Sequence, residues 1–408
     1  MALALVVLAT GGPTTADARS KAAKPKAAKP ALLFHIETRK RAKHKPTSWF
    51  QYGASASVKA VWDNNLRRDD GLRDYKRDLG GHIETWARTQ ITPSVVAFGH
   101  IQYGARWIET HSSSYPTRSD FRVKEALVSV ATGPQTQLTI GRMRFSDPAK
   151  WIADGAVDGL HFAKLGGMSS WEVAAFRGTD DSRPTFAMAH KTWKTDTGRR
   201  SILGMAETDA EDRRFYLFGH LTHRPSDHHR FELNSAVVLG DAANQKSSGL
   251  GVDLRGIRTL KGARNPQVTY GFAVGTAGFR QTGLQTNKTY DGGQKQFNRY
   301  GYAYRPELSN LAVATLALGL RPSRKFSIDA GLHAYAQLRP STTAPSARIN
   351  GQTTGRSRFV GTEISLVGAW RPSKKTKLQF GVGLFKPGSA YVDRSTYSHV
   401  YTQLSIYF

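Results

Sequence analysis

The chain has 408 residues, no cysteine, a mean hydropathy of −0.45 and a formal net charge of +27, from 58 Lys and Arg against 31 Asp and Glu. The absence of cysteine excludes a disulfide scaffold and thiolate metal or redox chemistry. The low hydropathy leaves no segment beyond the N-terminus apolar enough to cross a bilayer as a helix. The cationic excess attracts polyanions, whether nucleic acid, anionic lipid or acidic glycan, and composition alone does not choose among them.

The longest purely apolar run, Ala2–Ala9, has the length of a signal-peptide core, and Ala16-Asp17-Ala18 fits a small-x-small cleavage site, although a basic n-region is missing. Residues 1–18 are therefore expected to be a signal peptide. Between Arg19 and Pro46 the chain carries ten Lys or Arg against Glu37 alone, in a Lys/Ala/Pro-rich composition too polar to bury a core. Residues 19–49 read as a basic, disordered periplasmic segment, either a solvated linker or an arm that touches acidic polymer or envelope. Residues 1–46 account for +8 of the charge, leaving +19 for the rest.

From residue 50 onward the dominant pattern has period two. Tyr52, Ala54, Ala56, Val58, Ala60 and Trp62 share one face of a strand, opposite Gly53, Ser55, Ser57 and Lys59. The stretches 325–339 and 358–371 repeat the alternation, Ile328, Leu332 and Leu338 lying opposite Asp329, His333, Tyr335 and Arg339. Strands of about ten residues with one apolar and one polar face describe the wall of a transmembrane barrel. Arg-Pro-Ser recurs at 224–226, 321–323 and 371–373, each between two such stretches; proline donates nothing to a strand ladder, so each marks a chain reversal.

Short and long connections alternate along the chain. They delimit about eighteen strands, beginning near 52–62 and 81–92 and ending near 375–386 and 397–408. That count places all three Arg-Pro-Ser reversals on one side, the periplasmic one. The segment His399–Phe408 alternates to its last residue and stops on an aromatic, as a closing barrel strand requires. The fold expected is all-β: a transmembrane antiparallel up-and-down β-barrel over residues 50–408.

Three segments carry a family resemblance. They are Gly141-Arg142-Met143-Arg144-Phe145 with Trp151, Asp154 and Asp158-Gly159-Leu160; Tyr304-Arg305-Pro306-Glu307-Leu308-Ser309-Asn310-Leu311; and Gly361-Thr362-Glu363-Ile364-Ser365-Leu366 followed by Phe380–Gly388. In this order they resemble the alginate export family of outer-membrane barrels over most of residues 50–408. The resemblance implies an eighteen-stranded barrel with an electropositive pore through which a polyuronate leaves the cell. It also implies that Arg142, Arg144 and Asp154 lie at a constriction and its acidic gate. The basic segment before Pro46 departs from the family pattern, and the loops look compact for such an exporter.

A polyuronate bears one carboxylate per sugar, so its passage calls for several cations that bind weakly enough to release it. Strand parity turns Lys59, Arg88, Arg106, Arg255 and Arg339 inward, with Trp86 and Tyr335 as flat surfaces for sugar rings. Glu84, Asp253, Asp329 and Glu363 share that face, so some cations must pair across strands. Parity alone turns Arg142 outward, and a bulge would be needed to bring it to the pore.

His220, His223, His228 and His229 gather at one turn and read as interfacial rather than metal-ligating. No nucleophile motif is present, and no enzymatic activity, cofactor or metal is expected. The partners expected are an acidic polysaccharide, outer-membrane lipid and lipopolysaccharide, the barrel-assembly machinery through Phe408, and periplasmic export proteins. Nucleic acid fits the charge but not two-faced strands. The function expected is passive export of an anionic exopolysaccharide such as alginate. An anion-selective porin taking up acidic oligosaccharides or small anions is the alternative.

Overall fold

A computed structural model describes residues 34–35, 49–65, 74–111, 114–179, 184–209, 212–242, 245–246, 248–262, 264–289, 295–349 and 351–408. The expected signal peptide and most of the basic segment lie outside the described residues. Of that segment, Phe34–His35 forms a short strand paired with Phe145 and Arg144.

Eighteen strands form the wall. They are β1 (Phe50–Asn64), β2 (Tyr75–Gln90), β3 (Val95–Thr110), β4 (Ser114–Gly133), β5 (Thr136–Ser146), β6 (Asp154–Leu165), β7 (Ser169–Gly178), β8 (Thr185–Thr195) and β9 (Gly198–Thr208). The series continues with β10 (Arg213–Ser226), β11 (His229–Ala242), β12 (Gly249–Thr259), β13 (Gln267–Gly275), β14 (Leu311–Ser323), β15 (Phe326–Gln337), β16 (Phe359–Trp370), β17 (Thr376–Pro387) and β18 (Tyr397–Tyr407). Each pairs antiparallel with its neighbours in sequence, and β1 closes the cylinder on β18 from Ser55↔Tyr407 to Asn64↔Ser398. Closure pairs the backbone without leaving an edge in hydrocarbon. No helix occurs among the described residues.

The usual relation between burial and polarity is inverted along the wall. Val58, Ile83, Leu254, Leu316, Leu332 and Ile364 are exposed, whereas Thr139, His161, Glu172, Ser327 and Glu363 are buried. The exposed row meets lipid and the buried row faces the lumen, as the sequence pattern requires. Turns between even and odd strands are short, and all three Arg-Pro-Ser reversals lie at that end, as does Phe408, whose N–H donates to the Ala54 carbonyl at 2.9 Å. Short turns mark the periplasmic end of such barrels.

The opposite, extracellular end is filled from within. The described residues of 147–153, 276–310 and 338–358 fold inward and bury Trp151, Phe279, Tyr300, Tyr304, Leu308 and Ile349 against wall residues Phe145, Tyr335 and Phe385. Tyr304 stacks on Phe385 at 4.3 Å and meets Tyr335 edge-on at 4.9 Å. The apolar core therefore sits inside the cylinder near one mouth. The compact loops expected from sequence are, in the described residues of 276–310, a packed internal element. Glu363 on β16 holds this element to the wall: its carboxylate accepts the backbone N–H groups of Tyr302, Ala303 and Tyr304, the last two at 2.9 and 2.8 Å, and the Tyr335 hydroxyl at 3.2 Å.

Candidate functional site: the cationic lumen

Where the internal loops meet β1–β3 and β17–β18, a cavity of about 560 Å³ remains open in the lumen. The strands contribute Lys59 and Asp63 from β1, Lys76 and Asp78 from β2, Arg106 from β3, Gln379 from β17, and His399, Tyr401 and Gln403 from β18. Alternation explains these positions, since each lies on the inward parity of its strand. The loops contribute Lys288, Lys295, Tyr302, Arg305 and Arg348.

Seven basic side chains thus face two carboxylates, and both carboxylates are engaged. Asp78 receives a bidentate contact from Arg106, whose Nε donates at 2.7 Å. Asp63 accepts the Tyr397 hydroxyl and contacts His399 Nδ1 at 2.6 Å. The remaining positive charge has no carboxylate of the cavity lining left to neutralise it.

The loop cations are held close to aromatic and carbonyl groups. The Lys295 ammonium donates to the Tyr302 hydroxyl and the Phe380 carbonyl, both at 3.1 Å, and lies 3.8 Å from the centre of the Tyr401 ring. Burial, with Arg305, Lys377 and Lys59 nearby, pushes its pKa down to about 6. Arg305 donates through Nε to the Tyr302 carbonyl at 3.0 Å, and Arg348 reaches the same carbonyl at 3.4 Å. Burial and the neighbouring Arg348 lower the Arg305 pKa to about 10. Lys288 is lowered too, by burial and then by Arg305. Burial is the first cause of each shift and neighbouring cations add to it, so an anion entering the cavity would offset part of that cost.

The residues singled out from sequence separate into groups. Lys59 and Arg106 line the cavity. Arg144 and Asp154 pair with each other, Nε to Oδ1 at 3.2 Å, and Asp154 also takes the Lys150 ammonium and the Thr286 hydroxyl, both at 2.8 Å. They join the inward loops beside the cavity rather than lining it. Arg142 sits on the outward row, opposite Ala126 and Asp158, and holds the Asp158 carboxylate at 2.7 and 2.6 Å. Gly141 beside it adopts φ +118°, but the register of β5 against β4 and β6 continues unbroken through this point, so Arg142 keeps its outward parity.

Arg88 lies inward on β2 and Arg255 is buried on β12 with its guanidinium 6.0 Å from the Phe297 ring; neither lines the cavity. Arg339 is exposed beyond the end of β15, its backbone N–H bonded to Asn310. The aromatic surfaces expected of Trp86 and Tyr335 are occupied by protein. Trp86 packs over Gly53, where an added Cβ would fall 2.6 Å from the indole nitrogen, and Tyr335 is 1% exposed with its hydroxyl on the Tyr300 carbonyl. Sequence reasoning missed Lys76, on a part of β2 that reads as a polar loop, and Lys288, Lys295, Arg305 and Arg348, which stand on the inward segments with no sustained periodicity to orient them.

Comparison with known proteins adds three findings. The profile of the family described as alginate export matches residues 172–402, more than half of the chain. "Alginate production protein AlgE" from Pseudomonas aeruginosa is 27% identical over 143 residues, a match spanning 30% of this chain and 29% of that protein. Among solved structures, OccK7 (OpdD) of Pseudomonas aeruginosa has a TM-score of 0.61 at 8% identity, covering 88% of this chain and 99% of that one. OccK5 (OpdH) of the same organism has a TM-score of 0.60 at 9% identity, covering 88% and 98%. At such identities the likeness is one of fold.

Proposed function

This chain belongs to the alginate export family and is a channel of the bacterial outer membrane, and on that premise we propose that it passively exports an anionic, uronate-bearing exopolysaccharide such as alginate. The observation that carries the proposal is the cavity lining: seven basic side chains against two carboxylates that are already bonded to neighbours. A chain with one carboxylate per sugar supplies the missing counter-charge at repeated intervals. Each guanidinium–carboxylate contact is worth about 1.5–3 kcal/mol, and with several spread along the path the polymer exchanges one for the next instead of being held by all at once. Tyr302 and Tyr401 line the same cavity, so sugar rings pass beside aromatic groups. The barrel needs no energy source of its own, since polymer synthesised inside the cell drives the thread outward.

Export is tested in cells that make the polymer. Deleting the gene should shift uronic acid from the medium to the cell, and the wild-type chain should restore secretion. The triple variant Lys288→Gln, Arg305→Gln and Arg348→Gln should restore it poorly. Full secretion by the deletion strain would remove the assignment, and uptake of uronate oligomers without secretion would reverse its direction.

A further inference from the structure

The lipid-facing wall carries a second cavity, a depression of about 510 Å³ across β14, β15, β16 and β17. Its floor and walls follow from strand register. One row of outward residues runs Ala314↔Ala334↔Thr362↔Lys386, and the next runs Leu316↔Leu332↔Ile364↔Leu384. Short side chains in the first row sink the surface, the branched residues of the second form a ledge, and Lys386 and Thr396 close one end. Four strands set side by side make the depression about 14 Å wide at the usual spacing between strands, the breadth of several acyl chains abreast.

Its position along the barrel decides the class of lipid. Lys386 lies one residue before the end of β17, at the mouth opposite Phe408 and the Arg-Pro-Ser turns, and therefore at the outer leaflet. Around it the extracellular ends of β16, β17 and β18 carry Arg356, Arg358, Lys386 and Arg394 against Asp393 alone over residues 356–358 and 386–396, all four cations being exposed. The Lys386 ammonium donates to the Arg394 carbonyl at 3.0 Å, which fixes it at the rim above the apolar ledge. An apolar depression several chains wide beneath an exposed cationic rim is complementary to a lipid with several acyl chains and a phosphorylated headgroup.

We propose that this depression is a binding site for a phosphorylated, multi-acyl glycolipid of the outer leaflet, its acyl chains lying over Ala314, Ala334 and Thr362 and its phosphate at Lys386. The site is on the outside of the barrel and does not depend on what passes through the lumen. A two-chain phospholipid offers a single phosphate, which meets the rim at one point instead of several.

The test is native mass spectrometry of the full chain, released from detergent after incubation with bis-phosphorylated hexa-acyl lipid A or with phosphatidylglycerol. The wild-type barrel should retain one lipid A and little phosphatidylglycerol. Lys386→Glu, which reverses the rim charge, should reduce retention about ten-fold, the scale of one lost charge-assisted contact, and Ala334→Phe, which fills the depression, should reduce it as well. Heat-modifiable migration on gels checks that each variant is assembled, and Ala314→Leu replaces Ala334→Phe if the larger residue prevents assembly. Equal retention by wild type and the filled variants would overturn the site. Equal retention of phosphatidylglycerol would overturn its assignment to the glycolipid.

Discussion

Lys295 is held where its charge is costly, between the Tyr302 hydroxyl, the Phe380 carbonyl and the face of Tyr401. Its pKa of about 6 lies below the ordinary lysine value of 10.5, so folding disfavours the charged form. Between these two values the folded chain holds fewer protons than the unfolded one, and this residue's contribution to stability rises with pH across that window. In the lumen the consequence runs the other way: acidification through pH 6 adds a positive charge. Anion selectivity, read from reversal potentials in a salt gradient, should therefore rise between pH 7 and pH 5 in the wild type and change little in Lys295→Met. A second effect is expected at Asp78, which occupies Arg106. Asp78→Asn removes a negative charge and releases the guanidinium into the cavity, so anion selectivity should increase; a decrease would show that Arg106 acts only as a strut. Lys59 and Arg106 were legible from strand parity, whereas Lys288, Lys295 and Arg348 were not, because parity has no meaning on an irregular loop. Arg142 shows the opposite case. A sequence motif drew it towards the pore, but the unbroken register of β5 keeps it beside Asp158 on the outer row.

At the level of elements, the barrel wall is generic and the inward loops give the lumen its chemistry. The described residues of 276–310 bring Lys288, Lys295, Tyr302 and Arg305 to the cavity, and Glu363 anchors their far end through three consecutive backbone N–H groups. Glu363→Ala leaves those donors without their acceptor in a buried setting, at a cost of about 1–3 kcal/mol for each group left unsatisfied. The loop rather than the wall should yield. The variant is expected to migrate on gels as an assembled barrel yet to show larger and noisier single-channel currents; unchanged currents would mean that aromatic packing of Tyr304 on Phe385 suffices to hold the loop. The wall was readable because alternation is a local property: β8 (Thr185–Thr195) and β16 (Phe359–Trp370) lie within two residues of their expected limits at 185–193 and 357–371. The start of β2 was missed, at Tyr75 rather than 81, since Lys76, Asp78 and Gly80 face a wet lumen and look like a polar loop. The pairing of Phe34–His35 with β5 could not be foreseen, because a contact of a short segment with a distant edge leaves no periodic trace.

For the whole molecule, the net charge of +27 is expressed partly as a field inside the cylinder, where low-dielectric walls concentrate it. Such a field is screened by salt: the Debye length falls from about 10 Å at 0.1 M to about 3 Å at 1 M. Preference for anions should therefore be steep at low ionic strength and nearly lost at 1 M, while the conductance of the open barrel continues to rise with salt. The central claim, that the lumen is built for an acidic polymer, is tested most directly by single-channel conductance in planar bilayers, with uronate oligomers and then neutral oligosaccharides of the same length added. The account predicts an anion-selective channel blocked by the uronates alone, with the blocking affinity falling about ten-fold in Arg305→Gln or Arg348→Gln. Equal block by neutral sugars, or a cation-selective current, would contradict it.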